Sequence, residues 1–335
     1  MRVGITYDLR DEYLAQGHTQ EQAAEFDKPE TIEAIEVTLQ ELGYCTDRIG
    51  NAHRLMERLL SGERWDLVFN IAEGLRGFGR EALVPALLDA YRIPYTFSDP
   101  MVLTLTLHKA MAKRVVRDLG VPTADFTVIE KEHEVELVDL PYPLFLKPVA
   151  EGTGKGITAS SRVESPAELR REALRLLNSY EQPVLVETFL PGREFTVGIL
   201  GSRQEARAIG VMEVLIREGA DSQVYSYLNK EECERFVHYR LIRGPEADEA
   251  AQVALRAWTG LGCRDAGRVD VRQDALGRVQ FLEANPLAGL HPDHSDLPML
   301  CKMAGLSYRD LIGSIMESAL RRTRLTHPEL GRCSL

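Results

Sequence analysis

Residues 268–286 read RVDVRQDALGRVQFLEANP, and they place polar side chains within an apolar pattern typical of a β-hairpin. Asp270 lies in the first strand, and Glu283 and Asn285 end the second. Buried polar groups need partners. Two carboxylates and an amide oxygen are hard ligands of the kind that suit Mg²⁺. The alternative is a solvated sheet face, or one in which the hairpin's own arginines form salt bridges with these carboxylates.

The metal hypothesis depends on how the two strands are aligned. Side chains two positions apart on a strand share a face. With Gln273 opposite Arg278, Asp270 would lie opposite Phe281 and diagonal to Glu283, on one face. A slip of one residue would move Asp270 to the other face. We therefore expect this register if the hairpin binds a metal.

A glycine-rich stretch, EGTGKG, directly follows an apolar strand that contains Lys147. Gly152, Gly154 and Gly156 occupy alternate positions, where backbone amides can approach phosphate oxygens and the lysine adds charge. The stretch matches neither the Walker A pattern nor the dinucleotide-binding pattern of glycines. It predicts a phosphate-binding loop, and a flexible hairpin turn is the alternative.

Two further carboxylates lie in residues 184–195, VLVETFLPGREF. Glu187 and Glu194 leave apolar strands, so they could accept hydrogen bonds from an adenine amino group or a ribose hydroxyl. An exposed carboxylate at a strand end is the alternative for each, and each carboxylate taken alone favours that alternative.

Strands and helices alternate through the first hundred residues, which predicts a parallel sheet covered by helices. The strand WDLVFNI runs into the loop AEGLRGFGRE, and ligands of such sheets bind at the carboxyl ends of strands. One helix is predicted over 100–119, with Ser98 as its cap. Beyond residue 124 the pattern becomes α+β, and helices are predicted after Ser165 and Ser307 from their capping boxes.

Composition narrows the classes of protein. The chain has 335 residues, of which 44% are hydrophobic and 27% charged, as expected for a globular protein of more than one domain. The net charge of −11 opposes binding to nucleic acid, and no apolar run reaches the ~20 residues of a membrane helix. The five scattered cysteines form no C-x-x-C, so we expect no disulfide framework and no zinc site, and a cytoplasmic location.

Taken in order, these signals resemble the ATP-grasp fold, and more closely the D-alanine–D-alanine ligase family. The resemblance spans most of residues 65–320. It implies a Rossmann-like parallel βαβ domain over 1–100, followed by a two-subdomain ATP-grasp fold over 101–200 and 201–335. The stretches that carry it are SDPMVLTLTLHKAMAKRVVRDLGVP, FLKPVAEGTGKGIT, VLVETFLPGREFTVGIL and GRVDVRQDALGRVQFLEANPLAGL.

The resemblance also implies roles for individual residues around ATP, two Mg²⁺ ions (which Mn²⁺ can replace) and amino-acid-like substrates. For the nucleotide these are Lys109 and Lys147 on the phosphates, Thr153, Gly154 and Gly156 in the closing loop, Glu187 by adenine and Glu194 by ribose. For the metal and the chemistry they are Asp270, Glu283 and Asn285 as ligands, Arg268 and the Gly289 amide at an oxyanion, Lys230 in a loop, and Ser295 at the second substrate's carboxylate.

The chain departs from the family pattern where amino acids are recognised. After the first strand, Glu12 is a loose match to the family's amine-binding glutamate. Glu73 stands where the family has a histidine, and Glu231 where it has a loop tyrosine. The segment before Ser295 is one residue longer than usual. None of these changes affects the nucleotide half.

Two histidines, His291 and His294, lie in the same segment as Ser295. They could contact a substrate, because they follow the proposed metal strand closely. Solvated loop histidines are the alternative.

The expected activity is ATP-dependent ligation of a carboxylate and an amine through an acyl phosphate, which gives a dipeptide or an amide. One alternative is a ligase that joins a different acid and amine, and another is a nucleotide-binding protein without turnover. The pair of predicted metal carboxylates argues against the second. A dehydrogenase is disfavoured because the glycine fingerprint is missing after Tyr7. The family resemblance implies a homodimer.

Overall fold

The computed structural model describes residues 1–216 and 237–325, and the strands in these ranges form three sheets. The strands are β1 Arg2–Thr6, β2 Cys45–Gly50, β3 Leu67–Asn70, β4 Phe126–Ile129, β5 Leu144–Pro148, β6 Arg162–Val163, β7 Val184–Thr188, β8 Glu194–Leu200, β9 Arg207–Ile216, β10 Val237–Ile242, β11 Ala266–Gln273 and β12 Val279–Asn285. The helices are α1 Arg10–Ala15, α2 Pro29–Glu41, α3 Ala52–Leu60, α4 Leu83–Ala90, α5 Pro100–Leu107, α6 Lys109–Asp118, α7 Pro166–Tyr180, α8 Pro245–Leu261, α9 Asp296–Met303 and α10 Tyr308–Thr323.

The first sheet is parallel, in the order β2-β1-β3, as the alternation of strands and helices predicts. A single parallel bridge from Val68 to Tyr95 extends it. Ile32 and Ile35 of α2 are buried in the same core as Leu311 and Ile312 of α10. The last helix of the described chain therefore packs against the first sheet, which holds the two ends of the described chain together.

The second sheet is antiparallel, in the order β4-β7-β5-β6, and α7 packs against it. The predicted cap of α7 is confirmed, since Ser165 accepts a hydrogen bond from the Glu168 amide and Pro166 follows it. Leu169, Ala173 and Leu176 form the buried face of this helix. The helix thus covers one face of the sheet, and Leu185 on the other face is buried with Leu107 and Ala110.

The third sheet is also antiparallel, in the order β10-β9-β8-β11-β12, and it contains the polar hairpin. Helix α8 covers one face, with Trp258 fully buried and its indole NH donating to the Gly201 carbonyl over 3.2 Å. The predicted α/β region followed by an α+β region is confirmed. The proposed boundaries at residues 100 and 200 stay a prediction.

The helix predicted over 100–119 is in fact two helices. Helix α5 is capped by Asp99, not Ser98, and it ends at His108, whose ψ of 87° breaks the helical path. The Lys109 amide then donates to the Val149 carbonyl over 2.9 Å. This break turns the first residue of α6 toward the strand that precedes the glycine-rich stretch.

The hairpin register also differs from the expectation. Gln273 pairs with Val279, because residues 275–277 form the loop and the Asp274 amide bonds the Arg278 carbonyl over 2.9 Å. That slip alone would move Asp270 away from Glu283's face. An irregularity before Val271 inserts one extra residue on β12, and Asp270 then lies directly opposite Glu283.

The cysteines are only partly as expected. Cys263 and Cys301 are buried free thiols, whereas Cys45 is disulfide-bonded, which the sequence did not predict.

Within the described ranges, no helix has both the length and the apolar character needed to cross a membrane.

Candidate functional site

The predicted metal residues converge on one face of the third sheet. Asp270 faces Glu283 across the hairpin, and the Asn285 amide nitrogen donates to an Asp270 oxygen over 3.3 Å. On the neighbouring strand β8, the Thr196 hydroxyl donates to the other Asp270 oxygen over 2.8 Å. The bulge in β12 therefore gathers two carboxylates and one amide into a single polar cluster.

Cations surround this cluster. Arg268 forms a salt bridge with Asp270 and lies 3.7 Å from an Asp296 oxygen. Burial by itself would lower the pKa of Arg268, but Asp270 and Asp296 outweigh it and raise that pKa above its usual value. Lys109 approaches Glu283, with 3.5 Å between its ammonium and the nearer carboxylate oxygen. Arg268 thus stays charged beside the two carboxylates.

Glu187 lies on β7, where two lysines hold it. Its two oxygens are 2.5 Å from the Lys113 ammonium and 2.9 Å from the Lys147 ammonium. Lys147 was predicted from the sequence, but Lys113 was not. Its position four residues after Lys109 on a helix was the signal, because residues four apart on a helix lie on one face.

A small cavity of about 90 Å³ lies between the second and third sheets. Its walls combine apolar side chains, among them Phe145 and Leu282, with Lys147 and Glu194. The Thr188 hydroxyl is buried nearby without a hydrogen-bond partner among the described residues. Apolar walls beside an unsatisfied polar atom suit a planar heterocycle.

The glycine-rich stretch is held against the N-terminal part of the chain by Glu25, which the sequence did not predict. One Glu25 oxygen accepts from the Gly152 amide over 2.5 Å. Arg80 and Lys155 pair with the same carboxylate at 2.9 and 3.2 Å. Burial raises the pKa of Glu25, but these two cations outweigh it and hold the pKa below its usual value.

The backbone of this stretch needs glycine at one position in particular. Gly156 has φ of 79°, and a Cβ there would lie 2.6 Å from the Pro148 ring. Thr153 also has positive φ, 48°, and its hydroxyl is buried without a hydrogen-bond partner among the described residues. Gly154, at φ 73°, completes the turn. Strained backbone of this kind is concentrated at ligand-binding and catalytic sites.

A second cavity, of about 340 Å³, adjoins the first, and Lys109 and Glu283 contribute to both. It contains the residues predicted for substrate binding or the oxyanion. These are Arg268, Gly289, His294, Ser295 and Glu73. Glu12 instead lies exposed on α1 and lines neither cavity. Lys230 and Glu231 fall outside the described residues.

Ser295 organises one wall of the second cavity. Its hydroxyl accepts from the His291 amide over 3.0 Å, and a Cβ on Gly289 would lie 2.8 Å from that oxygen. The rings of His291 and His294 are 4.6 Å apart. The Gly289 backbone is therefore pressed against the start of α9, and the two histidines line the same cavity.

Comparison with known proteins decides the family. Residues 115–317 match the model of the D-ala D-ala ligase C-terminus. The D-alanine–D-alanine ligase of Bordetella petrii is 34% identical over 262 residues, which cover 78% of each chain. The chain belongs to the D-alanine–D-alanine ligase family.

Solved structures agree at the level of the fold. A D-alanine–D-alanine ligase from Bacillus anthracis complexed with ATP superposes with a TM-score of 0.72 at 21% identity, covering 97% of this chain and 99% of that one. The VanG D-Ala:D-Ser ligase of Enterococcus faecalis also has a TM-score of 0.72, at 19% identity, covering 95% and 99%. The predicted ATP-grasp fold and the prediction of an ATP-dependent ligase that forms a C–N bond are confirmed.

The ligase also carries acidic side chains that the sequence analysis did not connect. Glu81, Asp27 and Glu73 all line the second cavity. Burial raises the pKa of Glu81 to about 7, although Arg80 opposes this. Burial, reinforced by Asp8, likewise raises the pKa of Asp27 to about 7. The pKa of Glu73 is raised well above its usual value, first by burial and then by Glu81.

Substituting Lys113 tests the buried lysine pair in this ligase. Lys113 is fully buried and also donates to the Thr123 hydroxyl over 2.6 Å. We expect Lys113→Met to lower the free energy of unfolding by about 3 kcal/mol, because a partly unpaired Glu187 stays buried. Urea denaturation measures the change. Lys302→Met, at an exposed position, is the control, and an equal effect in both variants would contradict the prediction.

Substituting Glu81 tests the buried acid through pH. A carboxyl with pKa near 4.3 when unfolded and about 7 when folded binds its proton more tightly in the native state. Its ionisation therefore removes stability as pH rises between these values. We expect Glu81→Gln to raise the free energy of unfolding by about 2–3 kcal/mol at pH 8, and by far less at pH 4.5.

The measurement is urea denaturation of both proteins at the two pH values. Glu33→Gln, at an exposed position on α2, is the control and should show no such dependence. A stabilisation by Glu81→Gln of the same size at both pH values would contradict the assignment.

Proposed function

We propose that the chain uses ATP to join two amino-acid-like substrates through an acyl phosphate, which gives a dipeptide or an amide. The observation that carries this proposal is the cluster of Asp270, Glu283 and Asn285. It lies where the two cavities meet, with Arg268 beside it. A nucleotide in the first cavity and a carboxylate in the second would meet at this cluster.

The smaller cavity would take the nucleotide. Adenine would lie between the apolar walls near Glu187, and Glu194, which pairs with Arg272 at 3.1 Å, would bind the ribose. Lys147 and Lys109 would bind the phosphates, since both residues line this cavity. Thr153, Gly154 and Gly156 would close over the phosphates, and the unsatisfied Thr153 hydroxyl supports that role.

The donor set of the hairpin suits Mg²⁺, because Asp270, Glu283 and Asn285 offer hard oxygen atoms. Among the described residues, no group of three or more His, Cys, Asp or Glu side chains could hold a metal ion, so the amide oxygen of Asn285 is a necessary part of the proposal. Two Mg²⁺ ions, or Mn²⁺ in their place, would neutralise charge on the phosphates when bound.

The chemistry would proceed in two steps. A substrate carboxylate oxygen attacks the γ-phosphorus, the bond to the β-phosphate oxygen breaks, and ADP leaves. The amine of the second substrate then attacks the acyl carbon, and the C–O bond to phosphate breaks after the amine loses its proton. Arg268 and the Gly289 amide would stabilise the oxyanion between these events.

The remaining roles concern binding and closure. Ser295, at the start of α9, would hold the carboxylate of the second substrate, and Lys230 would contribute from its loop. His294 and Glu73 would contact substrate, since both line the larger cavity. The closed glycine-rich loop would keep water from the acyl phosphate.

The relatives named above are D-alanine–D-alanine ligases and a D-Ala:D-Ser ligase, so D-alanine is the first compound to test. We further propose a cytoplasmic homodimer that binds neither nucleic acid nor membranes, which the net charge of −11 supports.

The test is incubation of the protein with Mg-ATP and pooled D- and L-amino acids, including D-alanine. Phosphate release is followed, and products are identified by mass. We expect phosphate and an adduct of two amino acids in equal amounts. Phosphate without any adduct would indicate another acceptor, and no turnover with any pool would favour a nucleotide-binding protein.

A further inference from the structure

The larger cavity carries more negative charge than its own cations neutralise. Most of the acidic side chains along its wall have a cationic partner, as Glu25 does in Arg80 and Lys155 and Asp296 does in Arg268. Within the described ranges, two of the acidic residues of the wall, Glu73 and Glu81, form neither a side-chain hydrogen bond nor an ion pair.

Glu81 gives the stronger evidence for a missing ligand, because it is only 9% exposed and lines the cavity. Its neighbour Arg80 cannot serve it by hydrogen bonding. One terminal nitrogen of that arginine bonds both oxygens of Glu25, at 3.1 and 2.9 Å, and the other donates to the Ala150 carbonyl over 2.8 Å. The nearest guanidinium is therefore directed to other acceptors.

An unpaired buried carboxylate is costly. This free-energy cost falls if a bound ligand places a cation beside the carboxylate. Without such a cation, the ionised forms of Glu81 and Glu73 also repel each other. Burial raises the pKa of Glu81 to about 7, and burial followed by the charge of Glu81 raises the pKa of Glu73, as expected of two acids that line one cavity.

We infer that Glu81 and Glu73 bind a cationic side chain of a substrate, so that the ligase acts on a basic amino acid such as ornithine or lysine. The inference rests on the proposed function, because it concerns the same cavity. The reacting carboxylate would lie near Arg268 and Lys109, and the cationic end would extend to Glu81. The α-ammonium of an amino acid lies one carbon from its carboxylate, so a neutral amino acid placed in this way has no cation at its far end for Glu81 and Glu73.

The experiment compares basic amino acids with neutral ones of nearly the same shape. Ornithine is paired with norvaline and lysine with norleucine, each as both enantiomers, in the Mg-ATP assay with the full chain. We expect kcat/KM for the basic member of at least one pair to exceed that of the neutral member by about tenfold or more, as a charge-assisted hydrogen bond gives.

Variants then assign the preference to its residue. Glu81→Gln should reduce the ratio to within about twofold, chiefly by losing activity toward the basic member. Glu33→Gln, at an exposed position on α2, should leave the ratio as in the wild type. If Glu81→Gln fails to fold, Glu81→Asp is used instead. We expect it to reduce the ratio of basic to neutral kcat/KM by less than Glu81→Gln would, but to below the wild-type ratio.

A binding measurement separates this inference from the proposed function. Ornithine and norvaline are titrated calorimetrically into the protein with Mg-ADP present, which needs no turnover. Tighter binding of ornithine that is lost in Glu81→Gln supports the cation site, even if no amino acid releases phosphate and the ligase proposal fails. Equal binding of the two compounds, or a preference that Glu81→Gln leaves unchanged, overturns it.

Discussion

We expect Arg268→Lys to lower kcat by about 100- to 1,000-fold, the range found when one oxyanion-stabilising donor is lost. Arg268 lies half-buried between Asp270 and Asp296 and borders the larger cavity. Lysine keeps the charge, so neither carboxylate is left without a cation. It cannot reproduce the fork of a guanidinium, which bonds several acceptors at fixed angles.

Steady-state kinetics of phosphate release measure this effect, and urea denaturation checks that the variant folds. Arg243→Lys, at an exposed position just before α8, is the matched control and should keep wild-type kcat. A variant at Arg268 that folds and keeps kcat within about threefold of the wild type would remove Arg268 from the chemical step.

The second large effect is expected from Glu283→Gln, which keeps the size of the side chain and removes its charge. Glu283 faces Asp270 directly and lies 3.5 Å from Lys109. As a proposed metal ligand, it should be needed for phosphoryl transfer, so we expect phosphate release to fall by at least about 100-fold. ADP affinity should change little, because the residues proposed for adenine and ribose, Glu187 and Glu194, lie elsewhere in the smaller cavity.

Calorimetric titration of ADP is the readout that separates the two effects. The Mg²⁺ concentration giving half-maximal activity should also rise in any residual reaction. Glu57→Gln, on the exposed surface of α3, is the control for the loss of a glutamate charge. Loss of ADP binding together with phosphate release would instead indicate that Glu283 stabilises the nucleotide cavity itself.

Both predictions depend on the glycine-rich stretch being held near the hairpin. Glu25 provides part of that link, because it comes from the N-terminal part of the chain and accepts a hydrogen bond from the Gly152 amide over 2.5 Å. A Cβ at Gly152 would lie 2.2 Å from a Glu25 oxygen. The absence of a side chain at this position thus lets a carboxylate from a distant part of the chain approach the loop.

The sequence determined the chemistry of the site through local patterns. The polar ends of the hairpin, the alternate glycines and Lys147 were visible because strand periodicity and glycine spacing are properties of short segments. The caps of α7 and α10 were predicted for the same reason, and the structure has both. These features depend on neighbours within a few residues.

Only the tertiary structure decided which distant groups meet. The extra residue on β12 that sets Asp270 opposite Glu283 comes from pairing between strands, which no local pattern specifies. Lys113 meets Glu187 because α6 packs beside the second sheet, and Glu25 meets Arg80 across 55 positions of the chain. Among the described residues no cation bonds Glu81, because Arg80 bonds Glu25 and the Ala150 carbonyl instead. Charge balance in a buried cavity is a property of the whole fold, since it depends on every group that packing brings there.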